Sequence, residues 1–129
     1  MLKKITLGAA VFWAAEILYL CLIRISEMPE IKISYIDKYM HAFFYFVFSV
    51  LWFYAFRFYF KKQSRSKLLV IVFVMSLIFG IAIELFQTYF TTYRNGDISD
   101  VIANTAGSIL AVLCIYFFDK NDFLSHIPK

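Results

Sequence analysis

Residues 68–90 read LLVIVFVMSLIFGIAIELFQTYF, an apolar run whose only charged side chain is Glu84. A helix rises about 1.5 Å per residue, so a run of this length can span the roughly 30 Å hydrocarbon core of a bilayer. Uninterrupted apolar runs of about 20 residues are typical of membrane-spanning helices. The stretch therefore predicts one such helix, and the rest of the chain can be interpreted around it.

The composition of the whole chain fits this interpretation. Of the 129 residues, 62% are hydrophobic and only 17% are charged, and the mean hydropathy is +0.72. A soluble domain averages nearer half apolar and a quarter charged. The 16 Phe, nine Tyr and two Trp exclude a disordered chain, and a total of two cysteines excludes a disulfide scaffold. We therefore expect lipid to surround many of the apolar side chains.

Three further apolar runs give four predicted spans in one domain, residues 1–129. With the quoted stretch, the spans cover residues 5–23, 39–60, 68–90 and 98–118. Lysines precede the first run, as in a signal peptide, but the run stays apolar beyond Ala14-Ala15 and no small-residue cleavage site leads into a polar segment. The sequence predicts an all-α, polytopic four-helix bundle whose first helix is retained.

The lysines and arginines predict the orientation of this bundle. With the N-terminus inside, nine of the 13 lie on the side of the two termini, and the connection 61–67 has four cations and no acid. Cytoplasmic loops are enriched in Lys and Arg, so both termini are predicted to be cytoplasmic. The net charge of +4 then reflects membrane topology, and no basic folded face indicates a nucleic-acid partner.

Polar residues recur at helical spacing along three of the spans. An ionisable residue deep in lipid costs on the order of 2–3 kcal/mol, so these stripes are predicted to meet inside the bundle, toward its outer end. Glu16 of the first span has no accompanying stripe. The three stripes are Asp37, His41, Tyr45 and Ser49; Ser76, Gly80, Glu84, Gln87 and Thr91; and Asp97, Asp100, Asn104, Gly107 and Ala111.

Structural roles compete with functional ones for several of these residues. Glu84 and Gln87 would also serve as interhelical hydrogen-bonding groups to Asn104. Asp97 would also be the N-cap of the fourth helix. Asp37 would also form an ordinary ion pair with the adjacent lysine at the membrane interface.

Three short motifs follow one another over about residues 36–112. They read Asp37-Lys38-x-x-His41-x-x-x-Tyr45, then Gly80-x-x-x-Glu84-x-x-Gln87, then Arg94-x-x-Asp97-x-x-Asp100-x-x-x-Asn104-x-x-Gly107. Together they resemble the VanZ-like family of small bacterial membrane proteins. The resemblance implies a multi-pass protein of the bacterial cytoplasmic membrane, connected through the founding member with low-level resistance to the glycopeptide teicoplanin. It implies a functional set without assigning roles: His41, Glu84, Gln87, Arg94, Asp97, Asp100 and Asn104.

The leading hypothesis is an outer-leaflet site that binds, or also modifies, an envelope component such as a lipid-linked or cell-wall precursor. His41 is a candidate general base and Glu84 a candidate general acid. Arg94 suits a phosphate or a carboxylate, because its guanidinium is a planar bidentate donor. The candidate catalytic residues are His41, Glu84, Asp97 and Asp100, and the candidate substrate-binding residues are Asp37, Tyr45, Gln87, Arg94 and Asn104.

Three other classes remain open. One His with several carboxylates is compatible with a metal-dependent membrane hydrolase, although the His-rich or Cys-containing set of catalytic zinc is missing and no metal ligand is assigned. A carrier or proton relay would use Glu84 and Glu16. A scaffold without catalysis would use the small-residue ridge Ala103, Gly107 and Ala111. No motif indicates a nucleotide, haem or flavin cofactor, and the sequence leaves homo-oligomerisation and enzymatic activity open.

Overall fold

The computed structural model describes residues 2–22, 34–90 and 98–118, with side chains over 2–20, 39–86, 89 and 101–118. Apart from a short connection at 60–64, this part of the chain is helical and contains no strand. It forms four helices: α1 (Leu2–Leu22), α2 (Ser34–Tyr59), α3 (Arg65–Phe90) and α4 (Ile98–Phe118). The all-α architecture expected from the sequence is confirmed for these ranges.

Three of the helices are long and apolar enough to cross a membrane. Their candidate spans are Tyr39–Tyr59, Arg65–Phe86 and Val101–Phe118. Over residues 2–20, the part of α1 whose side chains are described, the sequence includes two lysines and Glu16, and this part is not among the candidate spans. Length and composition thus support three of the four predicted spans.

Helices α1, α2 and α3 begin before their apolar runs, whereas α4 begins at Ile98 as predicted. Helix α2 begins at Ser34 rather than residue 39, and α3 begins at Arg65 rather than residue 68. For α3 the reason is a capping contact, because the backbone N–H of Lys67 donates to Ser64 Oγ at 3.2 Å. An apolar run marks the part of a helix that suits lipid, whereas the cap decides where the helix starts.

Basic side chains mark one end of the bundle, here called the basic end. The Lys3 ammonium lies 4.2 Å from the centroid of the Tyr59 ring, and Arg65 Nη2 donates to the Tyr116 carbonyl at 2.9 Å. The start of α1 therefore meets the end of α2, and the start of α3 meets the end of α4. It follows that α2 and α4 run in one direction, and α1 and α3 in the other. The described members are Lys3, Lys4, Arg57, Lys61, Lys62, Arg65 and Lys67.

The distribution of polarity is that of a membrane protein. Large apolar side chains cover the outside, for example Phe12 (63% exposed), Ile78 (62%) and Ile102 (64%). Polar side chains lie inside the bundle instead: His41, Ser49, Ser76, Glu84, Asn104 and Ser108 are all buried. Apolar groups on the outer surface avoid contact with water only if lipid covers them, so the described helices are suited to association with membrane lipid.

Helices α2 and α4 share the most extensive helix–helix contact of the described bundle. The cause is visible at Gly107, where an added Cβ would lie only 2.0 Å from the carbonyl oxygen of Ala42. The two backbones approach closely because neither residue has a large side chain. This packing brings the polar stripe of α4 beside that of α2 and fixes the geometry of the site.

Candidate functional site

The stripes of α2, α3 and α4 meet at Gly80. A Cβ added to Gly80 would lie 3.1 Å from Asn104 Nδ2 and 3.6 Å from the Tyr45 hydroxyl. Tyr45 is 1% and Asn104 3% exposed. The small residue on α3 therefore makes room for polar side chains from both neighbouring helices. We call Tyr45, Gly80 and Asn104 the middle layer.

One helical turn toward the basic end, each helix contributes a serine. Ser49, Ser76 and Ser108 follow the middle layer at four-residue spacing, and all three are buried. The hydroxyls of Ser76 and Ser108 are hydrogen-bonded to each other, which ties α3 to α4. These residues form the serine layer, so the polar interior extends over at least two turns.

The next turn toward the basic end is apolar. The same four-residue spacing leads to Phe53, Val72 and Val112, which pack in one hydrophobic cluster with Leu68 and Ile115. Phe53 and Val72 are almost completely buried. This closing layer ends the polar interior on the side of the basic end.

One turn from the middle layer in the opposite direction lie His41 on α2 and Glu84 on α3. Each is 7% exposed. Because α2 and α3 are antiparallel, the residue four before Tyr45 and the residue four after Gly80 reach the same level. His41 and Glu84 form the end layer, in which an imidazole and a carboxyl group, the side chains best suited to proton transfer, occupy neighbouring helices.

The polar interior has unmet hydrogen-bonding capacity. Asn104 Oδ1 and Ser49 Oγ are buried and have no hydrogen-bond partner among the residues that the structure describes. Buried polar atoms are normally satisfied by protein, water or ligand. The middle and serine layers are therefore suited to hold water or a polar group of a ligand.

The structure brings together four of the nine predicted site residues. His41, Tyr45, Glu84 and Asn104 are buried in the end and middle layers. Asp37, Gln87 and Asp100 lie on α2, α3 and α4, but their side chains are outside the described ones, and Arg94 and Asp97 lie outside the described residues altogether. The functional roles of all nine residues remain predictions, and for these five the side-chain positions do so as well.

A metal centre would need several oxygen or nitrogen ligands in one place. Among the described residues, no three His, Cys, Asp or Glu side chains are close enough together to hold a metal ion. The aspartates on which the metal hypothesis depends lie outside that search, because their side chains are not described. The metal hypothesis therefore gains no support from the described part of the site.

The VanZ/LLP1 family profile matches residues 6–119, which is most of the chain. The chain belongs to the VanZ/LLP1 family. This confirms the resemblance seen in the three motifs and extends it to α1, which the motifs do not include. No curated protein and no solved structure matches the chain significantly.

Family membership and the candidate spans together identify a multi-pass membrane protein. The polar layers of the protein include one residue, Ser108, that was not predicted from the sequence. Ser108 was not assigned to a stripe, although it lies four residues after Asn104, and this spacing was the available signal. The contact of Trp13 Nε1 with the Phe44 carbonyl, at 2.9 Å, had no signal in the sequence, since it joins different helices.

The serine pair of this VanZ/LLP1 protein provides a stability prediction. Ser76→Ala or Ser108→Ala alone should cost about 1 kcal/mol, because each leaves the partner hydroxyl buried without its hydrogen bond. The double alanine variant should cost no more than one single variant, because no buried hydroxyl is then left unpaired. Unfolding in mixed detergent micelles measures both, with exposed Ser66→Ala as the control. Fully additive costs would contradict the pairing.

Proposed function

We propose that this VanZ/LLP1 protein binds a polar group of a cell-envelope component, such as a lipid-linked or cell-wall precursor, at a site that opens to the outer face of the bacterial cytoplasmic membrane. The observation that carries the proposal is the stack of polar layers, which an apolar closing layer ends on the side of the basic end. Polar side chains within the membrane-spanning part of a protein are energetically costly, and they are typically retained because they have a function.

The basic end supports the proposed orientation. Lys and Arg accumulate on the cytoplasmic side of membrane proteins, so the basic end and both termini would be cytoplasmic. The polar layers lie beyond the closing layer, toward the opposite end. Water and polar ligands would therefore enter from outside.

In this proposal α1 is a fourth span and residues 1–129 form one domain. Helix α1 follows α2 from Tyr59, contacted by Lys3, to Phe44, contacted by Trp13. These contacts cover most of the candidate span of α2. Helix α1 therefore lies alongside that span and would cross the same thickness of bilayer. The exposed apolar side chains of α1, such as Ile5 and Phe12, would then face lipid.

The donors and acceptors of the site favour a ligand with phosphate, carboxylate or hydroxyl groups. Asn104 and Tyr45 would hydrogen-bond the ligand, and Arg94 would pair with its negative charge. Asp37 would orient His41. If the bound component is modified, His41 as base and Glu84 as acid would transfer protons. The sequence-based proposal adds Gln87 to the binding residues and Asp97 and Asp100 to the catalytic ones.

The test compares envelope lipids and wall precursors, together with teicoplanin tolerance, in wild-type, deletion and His41→Ala strains. We expect the deletion to change an envelope component or to lower teicoplanin tolerance. The His41→Ala strain should show the same change while the protein accumulates normally, because alanine removes the imidazole and is small enough to fit in its place. The control Lys67→Gln changes an exposed charge at the basic end and should behave as wild type. Full function of His41→Ala would contradict the site.

A further inference from the structure

A second concave surface lies between α1 and α2, outside the polar layers. It is a groove of about 230 Å³, far more than one water molecule needs. Its lining residues are Phe12, Trp13, Glu16, Ile17, Leu20 and Phe44. The groove is thus apolar and aromatic except for one carboxylate.

The aromatic wall of the groove is held in place by contacts between the helices. Trp13 Nε1 donates to the Phe44 carbonyl, and the Trp13 ring makes edge-on contacts with Phe43 and Phe44 at centroid distances of 6.2 and 6.1 Å. These contacts fix the indole relative to α2. A ligand would therefore meet a preformed surface, as in most small-molecule sites.

Glu16 is the unusual member of this surface. It is half-buried, and among the described side chains it has neither an ion-pair nor a hydrogen-bond partner. The lysines of its own helix, Lys3 and Lys4, lie about three turns away toward the basic end, roughly 18 Å along the axis. The groove thus presents a carboxylate beside aromatic rings, which is the combination that recognises ammonium groups by charge and cation–π attraction.

We propose that this groove binds a membrane amphiphile that carries a protonated amine. The ammonium pairs with the Glu16 carboxylate against the Trp13 and Phe44 rings, and the apolar chain lies along Phe12 and Leu20 toward the surrounding lipid. An anionic amphiphile would be repelled by Glu16, and a neutral one would leave the carboxylate unpaired. The groove uses none of the polar-layer residues, so it stands independently of the proposed function.

The chain allows a direct test, because it has only two tryptophans. In a Trp52→Phe background Trp13 is the only indole, and a bromine atom quenches indole fluorescence on contact. The protein is reconstituted in phosphatidylglycerol vesicles, whose lipid has no amine, and titrated with 1-(4-bromophenyl)octylammonium, in which the bromine lies close to the amine, or with the matching alcohol, 1-(4-bromophenyl)octan-1-ol. We expect saturable quenching by the ammonium compound, an apparent Kd at least tenfold higher for Glu16→Gln, and no saturable quenching by the alcohol.

Two further variants make each outcome decisive. Glu16→Asp keeps the charge and should bind within about threefold of the parent, whereas Tyr19→Phe changes an exposed ring outside the groove and should change nothing. Equal ammonium affinity in the Glu16→Gln and parent proteins, equal quenching by the alcohol, or no saturable quenching at all would overturn the proposal. Gel filtration and the Trp13 emission maximum identify any variant that fails to fold, in which case the Glu16→Asp comparison and the alcohol control decide.

Discussion

Replacement of Gly107 with valine is expected to remove most of the folded protein. Even the first added carbon would lie 2.0 Å from the Ala42 carbonyl oxygen, 2.8 Å from its carbonyl carbon and 2.9 Å from its Cα. All three are backbone atoms of a helix interior, so they cannot rotate away as a side chain could. Helix α4 must then move off α2, and we expect a cost of about 3 kcal/mol or more, at the upper end of overpacking effects.

The matched control is Gly8→Ala on α1. No heavy atom lies within 4 Å of the Cβ position at Gly8, and alanine is the better helix former by about 1 kcal/mol. This variant should be as stable as wild type or slightly more so. The unfolding midpoint in mixed micelles and the monodisperse fraction on gel filtration report both variants. A Gly107→Ala protein with a wild-type midpoint would contradict the backbone contact, because alanine already carries the clashing carbon.

The Gly107 contact also changes how a scaffold function can be tested. From the sequence alone, the small-residue ridge Ala103, Gly107 and Ala111 was a candidate surface for partner proteins. At Gly107 this ridge packs against α2 of the same chain, and Ala111 is fully buried. Damage from a Gly107 substitution therefore reports folding of the bundle, and it no longer distinguishes a scaffold from a binding site.

The polar stripes were predictable because lipid limits where polar groups can go. The four-residue spacing of His41, Tyr45 and Ser49 puts them on one face of α2, and insertion in lipid requires that face to be covered by other helices. The sequence could thus predict that stripes on α2, α3 and α4 meet. Burial of His41, Tyr45, Glu84 and Asn104 in the described structure is consistent with that expectation.

Which residues share a level could not be predicted in the same way. The layers depend on how far each helix slides along its neighbour, and that is set by local fits such as Gly107 on Ala42 and the Ser76–Ser108 hydrogen bond. Periodicity along one helix contains no information about these offsets. For the same reason the sequence could not predict that Glu16, which has no stripe of its own, lines a groove whose other wall is Phe44 of α2.

The end layer and the closing layer should differ sharply in their access to water. A cysteine in place of His41 would lie at the proposed open end of the polar layers. Water there would solvate the thiolate, which is the form that reacts with thiol reagents. A cysteine in place of Val72 would have nearly the volume of the original side chain, but it would lie in the apolar closing layer. We expect rapid modification of the first thiol by a water-soluble reagent and no measurable modification of the second.

The measurement that tests the outward-opening polar stack most directly is labelling of these two cysteines in intact cells with a membrane-impermeant, sulfonated thiol reagent. The native Cys21 and Cys114 are first replaced by serine, and Ser66→Cys reports on the basic end, which the proposed orientation places in the cytoplasm. The account predicts labelling of His41→Cys in intact cells, labelling of Ser66→Cys only after lysis, and no labelling of Val72→Cys in either case. Labelling of Val72→Cys, or labelling of His41→Cys only after lysis, would contradict it.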